Sequence, residues 1–302
     1  MKDIFWHLWY NLDGDNMKYQ ELINEKYLEV FQNIKPFPVE LLINIVSYLD
    51  GKVDDFLLND FVNALLSSDN LLKMTENSRF INVFSRDFSV HIWNAKMILD
   101  TLEMARLDKD ELSSLVRYSI SGESNIIDNM VRYLVINKSE LLHYYSRVDD
   151  LENGGEVKEA MFLGSIPLSA CTLTLAEKIF PDLRDAIAFD DLLTRDSLRG
   201  LKIGERLFKE IFKEMVEKYP DRNLIAFRLM ANNKGGQKFY KRLGAVFFDL
   251  NDPAREIDEY ALDEYSEEDI GVFFSRDVIK RKALEEIEEV TMEDEIKRVS
   301  SK

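Results

Sequence analysis

A short glycine-containing segment, residues 199–204, has the composition of a phosphate-binding turn. Arg199 and Lys202 supply positive charge, while Gly200 and Gly204 let a ligand approach the backbone closely. The residues before this segment predict a strand, and those after it predict a helix. Such a turn exposes backbone N–H groups that have no intrahelical partner, and the helix dipole adds positive potential there. A pyrophosphate therefore suits this segment.

A second segment, residues 233–245, follows the next predicted strand and opens the next predicted helix. It begins with Asn233, continues through a pair of glycines, and carries Tyr240 before it ends at Gly244 and Ala245. A phenol is one of the side chains that can act as a general acid.

Together the two segments resemble the two signature motifs of the GCN5-related N-acetyltransferase superfamily. Arg199 and Gly204 match the acyl-CoA loop of that family, and Gly236 stands at the small position of the second motif. The spacing between the two motifs also matches. The resemblance covers residues 186–250 clearly and implies an α/β fold, with a mixed central sheet and flanking helices. A mostly α-helical N-terminal region precedes it here.

The resemblance implies that acetyl-CoA, or another acyl-CoA, is the co-substrate. The backbone of the turn would hold the pyrophosphate, and Asn233 would contact the pantetheine arm. The strand that starts at Leu224 would splay from its neighbour to make room for that arm, and Tyr240 would protonate the thiolate. The predicted cofactor-binding residues are Leu193, Thr194, Arg199, Gly200, Leu201, Lys202, Ile203, Gly204, Asn233, Gly235, Gly236 and Phe239.

Asp190 and Asp191 are the candidates for the general base that deprotonates the acceptor amine. They lie on the strand before the turn, where members of the family often carry an acidic residue, and strand alternation points one of them to each face. Deprotonation through water is an alternative, and either carboxylate could simply be solvated. No metal site is predicted, because the three histidines and the single Cys171 have no metal-ligand spacing.

Lys202 departs from the family pattern, since it stands where the loop motif has its first glycine. If the backbone there needs a positive φ, lysine costs roughly 1 kcal/mol of strain. If φ is negative, nothing is lost and the ammonium could gain a phosphate. The departure keeps an alternative function open, in which a catalytically degenerate fold acts as an acyl-CoA-binding regulator or an interaction scaffold. A purely structural protein is a third possibility.

Charge is distributed unevenly along the 302 residues, whose formal net charge is −17. Residues 199–242 carry twelve basic and five acidic residues, whereas residues 256–302 carry sixteen acidic and seven basic residues. The overall field disfavours nucleic acid and anionic membranes as partners and favours a cationic amine as the acyl acceptor. The basic island suits the phosphates of coenzyme A, although it could instead decorate a solvated helix face.

The apolar pattern and the family resemblance together divide the chain into three parts. Apolar spacing predicts a helical domain of unknown role over residues 1–132 and a charged tail, helical or disordered, over residues 281–302. The resemblance implies an acyltransferase domain over residues 133–280. The tail could also dock on another domain or subunit, and the polar segment 149–155 marks a soft boundary. The predicted strands are 157–163, 170–175, 186–193, 224–230, 245–250 and 271–275, and the first 150 residues are interpreted as mostly helical.

The cellular setting follows from cysteine content and hydropathy. A single cysteine excludes an intramolecular disulfide and suits a reducing compartment, and no apolar run approaches the roughly 18 residues of a membrane span. We therefore expect a cytoplasmic protein. A homodimer or a protein partner could use the helical N-terminal region.

Overall fold

The computed structural model describes residues 17–30, 39–78, 95–122, 124–148, 155–178, 185–230, 233–250, 255–257 and 269–300. Within these residues a helical N-terminal region precedes a seven-stranded mixed sheet with flanking helices, which confirms the predicted fold class. No helix in this part of the chain is both long and apolar enough to cross a membrane. The predicted boundary segment 149–155 lies outside the described residues, except for Gly155.

Seven α-helices precede the sheet in the described part of the chain. Side-chain caps define where several of them start. Asp54 caps one helix, and Asp108 forms a capping box with Glu111 at another. The helices are α1 (Met17–Val30), α2 (Val39–Leu49), α3 (Asp55–Leu65), α4 (Ser68–Ser78), α5 (Ala95–Ala105), α6 (Lys109–Ser121) and α7 (Ile126–Asn137). The predicted division between residues 132 and 133 runs through α7, and as a division into domains it stays a prediction.

The sheet contains seven strands in the spatial order β1-β2-β3-β4-β5-β7-β6. All neighbouring pairs are antiparallel except β4 and β5, which are parallel. The strands are β1 (Leu142–Val148), β2 (Val157–Leu163), β3 (Ile166–Leu175), β4 (Ala186–Thr194), β5 (Asn223–Met230), β6 (Val246–Phe248) and β7 (Asp269–Phe274). The predicted strands at 157–163, 186–193 and 224–230 are confirmed to within one residue. The strand predicted at 245–250 is shorter than expected.

The strand β1 was not predicted, because the first 150 residues were interpreted as helical. Its side chains alternate between partly buried and exposed positions from Leu142 to Arg147, as in an edge strand with one packed face. The partly buried positions include Tyr144 and Ser146, which carry hydroxyl groups. The alternation of apolar and polar residues along this strand is therefore weak in the sequence. The aromatic pair Tyr144 and Tyr145 was the available signal for a strand.

Four further helices follow or flank the later strands: α8 (Ile203–Lys218), α9 (Lys234–Arg242), α10 (Arg276–Leu284) and α11 (Met292–Ser300). The predicted apolar face of α8 is buried, and the helix ends before Pro220 as the sequence indicates. Of the possibilities for the tail, the structure has helices packed on the rest of the chain. Glu295 of α11 is almost fully buried.

The N-terminal helices and the sheet share one apolar core, which includes Ile23 of α1, Leu102 of α5 and Phe274 of β7. A polar contact also fixes α5 on the sheet. The buried hydroxyl of Thr101 accepts a hydrogen bond from the Ser165 N–H at 3.1 Å, in the turn between β2 and β3. The helical region is therefore packed against the sheet, and α7 comes to lie beside the segment that follows β4.

Candidate active site

The two parallel strands of the sheet separate after a short paired stretch. β4 and β5 pair at Ala186–Asn223, Ile187–Leu224 and Ala188–Ile225, and no pair is recorded beyond these, although the strands continue to Thr194 and Met230. Unpaired parallel strands at the carboxyl end of a sheet leave a crevice for a ligand. This is the splay that the family resemblance implies.

A β-bulge lies on each strand where the two strands diverge. The register between β3 and β4 gains an extra β4 residue between Asp190 and Leu193. The register between β5 and β7 gains an extra β5 residue between Ala226 and Leu229. A bulge bends its strand and increases the local twist, so two bulges at the same level account for the separation.

The separation opens a cleft with a volume of about 1010 Å³. Its walls bring together most of the predicted cofactor residues: Leu193, Thr194, Arg199, Gly200, Lys202, Ile203, Gly204, Asn233, Gly235, Gly236 and Phe239. Leu201 is the exception, since it is 2 % exposed and packs into the core. Side chains far apart in the sequence thus line one concave site, as ligand pockets require.

The turn predicted to bind phosphate, residues 199–204, contains a left-handed residue immediately before α8. Lys202 has a φ of 57° and precedes α8, whose first backbone bond runs from the Arg206 N–H to the Lys202 carbonyl at 3.0 Å. The Lys202 side chain makes no capping hydrogen bond, so the N–H groups of residues 203–205 have no cap from it. The positive φ answers the question raised by the sequence: this lysine carries a strain of about 1 to 2 kcal/mol.

The start of α9 is built around Asn233 and Gly236. The Asn233 Oδ1 caps the helix by accepting a hydrogen bond from the Gly236 N–H at 2.9 Å. A Cβ atom at Gly236 would stand 2.8 Å from Leu229 Cδ1 of β5 and 2.9 Å from Asn233 Nδ2. Close packing of α9 on β5 therefore explains the small residue at this position. The Nδ2 atom is the part of Asn233 that the cap does not use.

Tyr240 lies in the wall of the cleft, 9 % exposed, and packs against an aromatic cluster. Its ring centroid is 5.2 Å from that of Phe239, 5.6 Å from that of Phe189 and 5.9 Å from that of Phe208. Burial, followed by the nearby Cys171 and Asp190, raises the pKa of the Tyr240 phenol above its usual range. The phenol therefore keeps its proton at neutral pH, as a general acid must.

Asp190 is partly buried and lines the cleft together with Tyr240. Its backbone carbonyl is 3.5 Å from Cys171 Sγ on β3, and its charge contributes to the raised pKa of Tyr240. The backbone of Asp191 lies in the bulge of β4, and its side chain is outside the described residues. The role of each of the two carboxylates as a general base stays a prediction.

Three basic side chains in the cleft wall were not predicted, namely Arg195, Lys238 and Arg242. Arg242 of α9 forms an ion pair with Glu205 in the first turn of α8, which links the two helices beside the cleft. Lys238 and Arg242 belong to the basic island of residues 199–242, so the charge count was the available signal for a role of these two residues at the cleft. Arg195 lies outside that island.

The mixed sheet has one parallel pair, β4 and β5, which splays beside the glycine-containing turn of residues 199–204. This arrangement agrees with the fold that the resemblance to the GCN5-related N-acetyltransferases implies. No protein-family model matches the sequence, and no match to a curated protein sequence was found.

Three solved structures are similar to about half of the chain. Escherichia coli ElaA is 14% identical, with a TM-score of 0.30, over 56% of this chain and 93% of that one. An acyl-CoA N-acyltransferase from Pseudomonas aeruginosa is 14% identical, with a TM-score of 0.29, over 57% of this chain and 94% of its own. A mutant AtaT toxin bound to the C-terminus of the antitoxin AtaR is 15% identical, with a TM-score of 0.32, over 48% of this chain and 99% of its own. All three TM-scores are below 0.5, so these likenesses carry no argument about the reaction.

Proposed function

We propose that this protein is an acyl-CoA-dependent N-acyltransferase that transfers an acetyl group from acetyl-CoA to an amine. One observation carries the proposal: the cleft between β4 and β5 contains both the N-terminus of α8 and Tyr240. The helix terminus suits an anionic pyrophosphate, and the buried phenol suits a leaving thiolate. Both ends of an acyl-CoA thus have matching groups in one cleft.

The proposed reaction is direct transfer within a ternary complex. The amine nitrogen attacks the thioester carbonyl carbon, the new C–N bond forms, and the C–S bond breaks. The amine loses its proton to Asp190, to Asp191 or to water, and Tyr240 donates its proton to the CoA thiolate. A backbone amide of the splayed strands would polarise the carbonyl oxygen, and the positioning of donor and acceptor would supply most of the acceleration.

The acceptor that fits this protein best is a cationic amine, such as a polyamine, a lysine side chain or a protein N-terminus. The net charge of −17 attracts such a molecule and disfavours nucleic acid. Asp190 in the cleft wall offers a carboxylate for its capture or deprotonation. The helical N-terminal region could contribute the acceptor site, a lid, or the surface for a homodimer or protein partner, and a cytoplasmic setting fits the composition.

A second candidate function is an acyl-CoA-binding regulator that does not turn over. The observation in its favour is the strained backbone of Lys202. The ammonium of this lysine also lies 3.5 Å from the carboxylate of Glu288, which competes with a phosphate for it. Binding would then be retained while catalytic geometry is degraded. The two functions differ in whether a thiol is released.

Calorimetric titration of acetyl-CoA into the purified protein tests the site, with Gly204→Glu as the variant that places a repulsive charge in the turn. A Cβ atom at Gly204 would be 3.3 Å from the Phe239 ring, so circular dichroism must first show that the variant is folded. We expect micromolar binding by the wild type and its loss in the variant. Absence of binding by the folded wild-type protein would refute both the enzyme and the regulator.

Turnover separates the two functions. Thiol release is measured with a panel of polyamines and peptides, for the wild type and for Tyr240→Phe. An enzyme should lose about 10²-fold or more in kcat on removal of the general acid while its affinity for acetyl-CoA changes little. Tyr145→Phe, at an exposed position on β1, is the matched control. A wild-type protein that binds acetyl-CoA and releases no thiol with any amine would favour the regulator.

A further inference from the structure

Arg132 of α7 holds the turn that leads from β4 to the phosphate-binding residues. The side chain is 3 % exposed, and its Nη1 donates hydrogen bonds to the backbone carbonyls of Ser197 and Arg199, the latter at 3.3 Å. Because the described peptide bonds are all trans, the Gly200 N–H points away from the carbonyl of Arg199 and hence away from the buried guanidinium. Arg132 therefore sets the direction of an N–H group in the cleft wall.

The same helix holds the other end of this turn. Asp128 precedes Arg132 by four residues, so both lie on one face of α7. Its Oδ1 accepts a hydrogen bond from Arg195 Nε at 3.0 Å, and both side chains are largely buried. Arg195 opens the turn and Arg199 closes it, which means that one face of α7 restrains the turn at its two ends.

The charge of Arg132 is balanced from the C-terminal helix α11. Glu295 Oε1 accepts hydrogen bonds from Arg132 Nη2 at 2.6 Å and from Nε at 3.1 Å, and Glu295 is 2 % exposed. Burial acts to raise the pKa of Glu295, but hydrogen bonds and charges from Arg298 and Arg132 outweigh it and lower that pKa to about 2. The carboxylate is thus ionised throughout the neutral range.

Removing Glu295 would leave Arg132 as a buried charge without its carboxylate. An uncompensated buried charge is strongly unfavourable, so the guanidinium would reorient toward water or other acceptors and release the carbonyls of Ser197 and Arg199. Neither Arg132 nor Glu295 lies in the two motifs, and they are 163 positions apart. The turn consequently depends on parts of the chain on both sides of the sheet-forming residues.

We propose that Arg132 is a positioning residue of the acyl-CoA site, and that α11 completes this site through Glu295; the cofactor part of this inference rests on the proposed function. In this arrangement the helical N-terminal region and the C-terminal tail act together on residues 195–199, which lead into the phosphate-binding turn. Arg132 contacts backbone carbonyls of these residues, so the backbone N–H groups of the turn stay available to the anion.

Glu295→Gln tests the proposal, with Glu293→Gln at an exposed position of the same helix as the matched control. Two quantities are measured on the full-length chain: the Kd for acetyl-CoA, and amide hydrogen exchange in a peptide that covers residues 195–204. We expect Glu295→Gln to raise the Kd at least tenfold and to speed exchange in that peptide at least tenfold. Exchange in β2 and β3 should not change, and the control should match the wild type in both measurements.

A second variant keeps the test decisive if Glu295→Gln fails to fold. Arg132→Lys keeps a positive charge for Glu295 but lacks the guanidinium, whose Nη1 reaches the two carbonyls while Nη2 and Nε contact Glu295. It should therefore produce the same local change with a milder loss of stability. A folded variant with a lower melting temperature but unchanged Kd and unchanged exchange at 195–204 would overturn the proposal, because it would show a purely structural ion pair. If the wild type fails to bind acetyl-CoA, the proposed function falls with the cofactor part of the inference, and the exchange data alone decide the positioning part.

Discussion

Lys202 Nζ lies 3.5 Å from Glu288 Oε2, so a carboxylate of the C-terminal tail contacts the turn that is proposed to bind pyrophosphate. Glu289, the next residue, is 3.9 Å from Arg206 in the first turn of α8. Two acidic side chains thus face two bases of the basic island. Both carboxylates are exposed, so these contacts are weak and can be exchanged for a stronger anion.

Replacement of the tail carboxylate should therefore favour the cofactor. We expect Glu288→Gln to tighten acetyl-CoA binding by about two- to threefold at low ionic strength, because the ion pair between Lys202 and Glu288 no longer has to break before the phosphate binds. Glu286→Gln, at an exposed position in the same segment, should have no such effect. Calorimetry at about 0.02 M and 0.3 M salt checks both variants, and a gain that persists at high salt would argue against an electrostatic origin.

The left-handed backbone at Lys202 makes a prediction about stability. Lys202→Gly should raise the free energy of unfolding by up to about 1 kcal/mol, because glycine adopts a positive φ without a Cβ clash. The greater conformational entropy of glycine in the unfolded chain cancels only part of this gain. Arg106, with a φ of 47°, lies outside the cleft and offers a control. Urea unfolding should show a comparable gain for Arg106→Gly, whereas only Lys202→Gly should alter the Kd for acetyl-CoA.

The glycine pair at the start of α9 gives a matched test of packing. Gly236→Ala should destabilise the protein by about 1 to 3 kcal/mol, since its Cβ would collide with Leu229 of β5. At Gly235 the nearest atom would be 3.7 Å away, so Gly235→Ala should be neutral or slightly stabilising. Thermal unfolding of both variants distinguishes them, and equal effects would mean that α9 does not need its close approach to β5.

An acidic cluster lies toward the C-terminal end of α8, between this helix and the strands β1 and β2. Glu159 is fully buried, and the Ser146 hydroxyl oxygen lies within hydrogen-bond distance of both Glu159 Oε1, at 3.0 Å, and Glu214 Oε1, at 3.3 Å. Tyr144 also donates to Glu214 at 2.7 Å, and Lys218 pairs with Glu214. Burial, and then the charge of Glu214, raise the pKa of Glu159 to about 7.

This raised pKa predicts a stability that falls as the pH rises. Below the unfolded-state pKa of Glu159 both states are protonated and the stability is complete; above about pH 7 the native state must ionise a buried carboxyl. The loss attributable to this group is about 3 kcal/mol between pH 4 and pH 8. Denaturant unfolding across that range should show it for the wild type and for the exposed control Glu156→Gln, and a smaller decline for Glu159→Gln. A pH profile identical in all three proteins would contradict the assignment.

Local patterns were sufficient wherever the structure is made by neighbours in the sequence. The apolar spacing along α8 predicted its buried face, because side chains three and four positions apart share one side of a helix. The continuous apolar run of β5 predicted a buried strand, and the two glycine-containing segments predicted which residues would line the cleft. In these cases a few adjacent residues determine both the conformation and its surroundings.

Contacts between distant residues were decided by the tertiary structure alone. The sequence left the φ of Lys202 open, because a lysine takes a positive φ only when packing on both sides requires it. No local pattern marks Arg132 and Glu295 as partners, and the bulges of β4 and β5 exist only through their register with β3 and β7. Residue type and spacing thus determined the chemistry that this protein can offer. Burial, register and long-range ion pairs, which depend on where distant segments meet, decided how that chemistry is held in place.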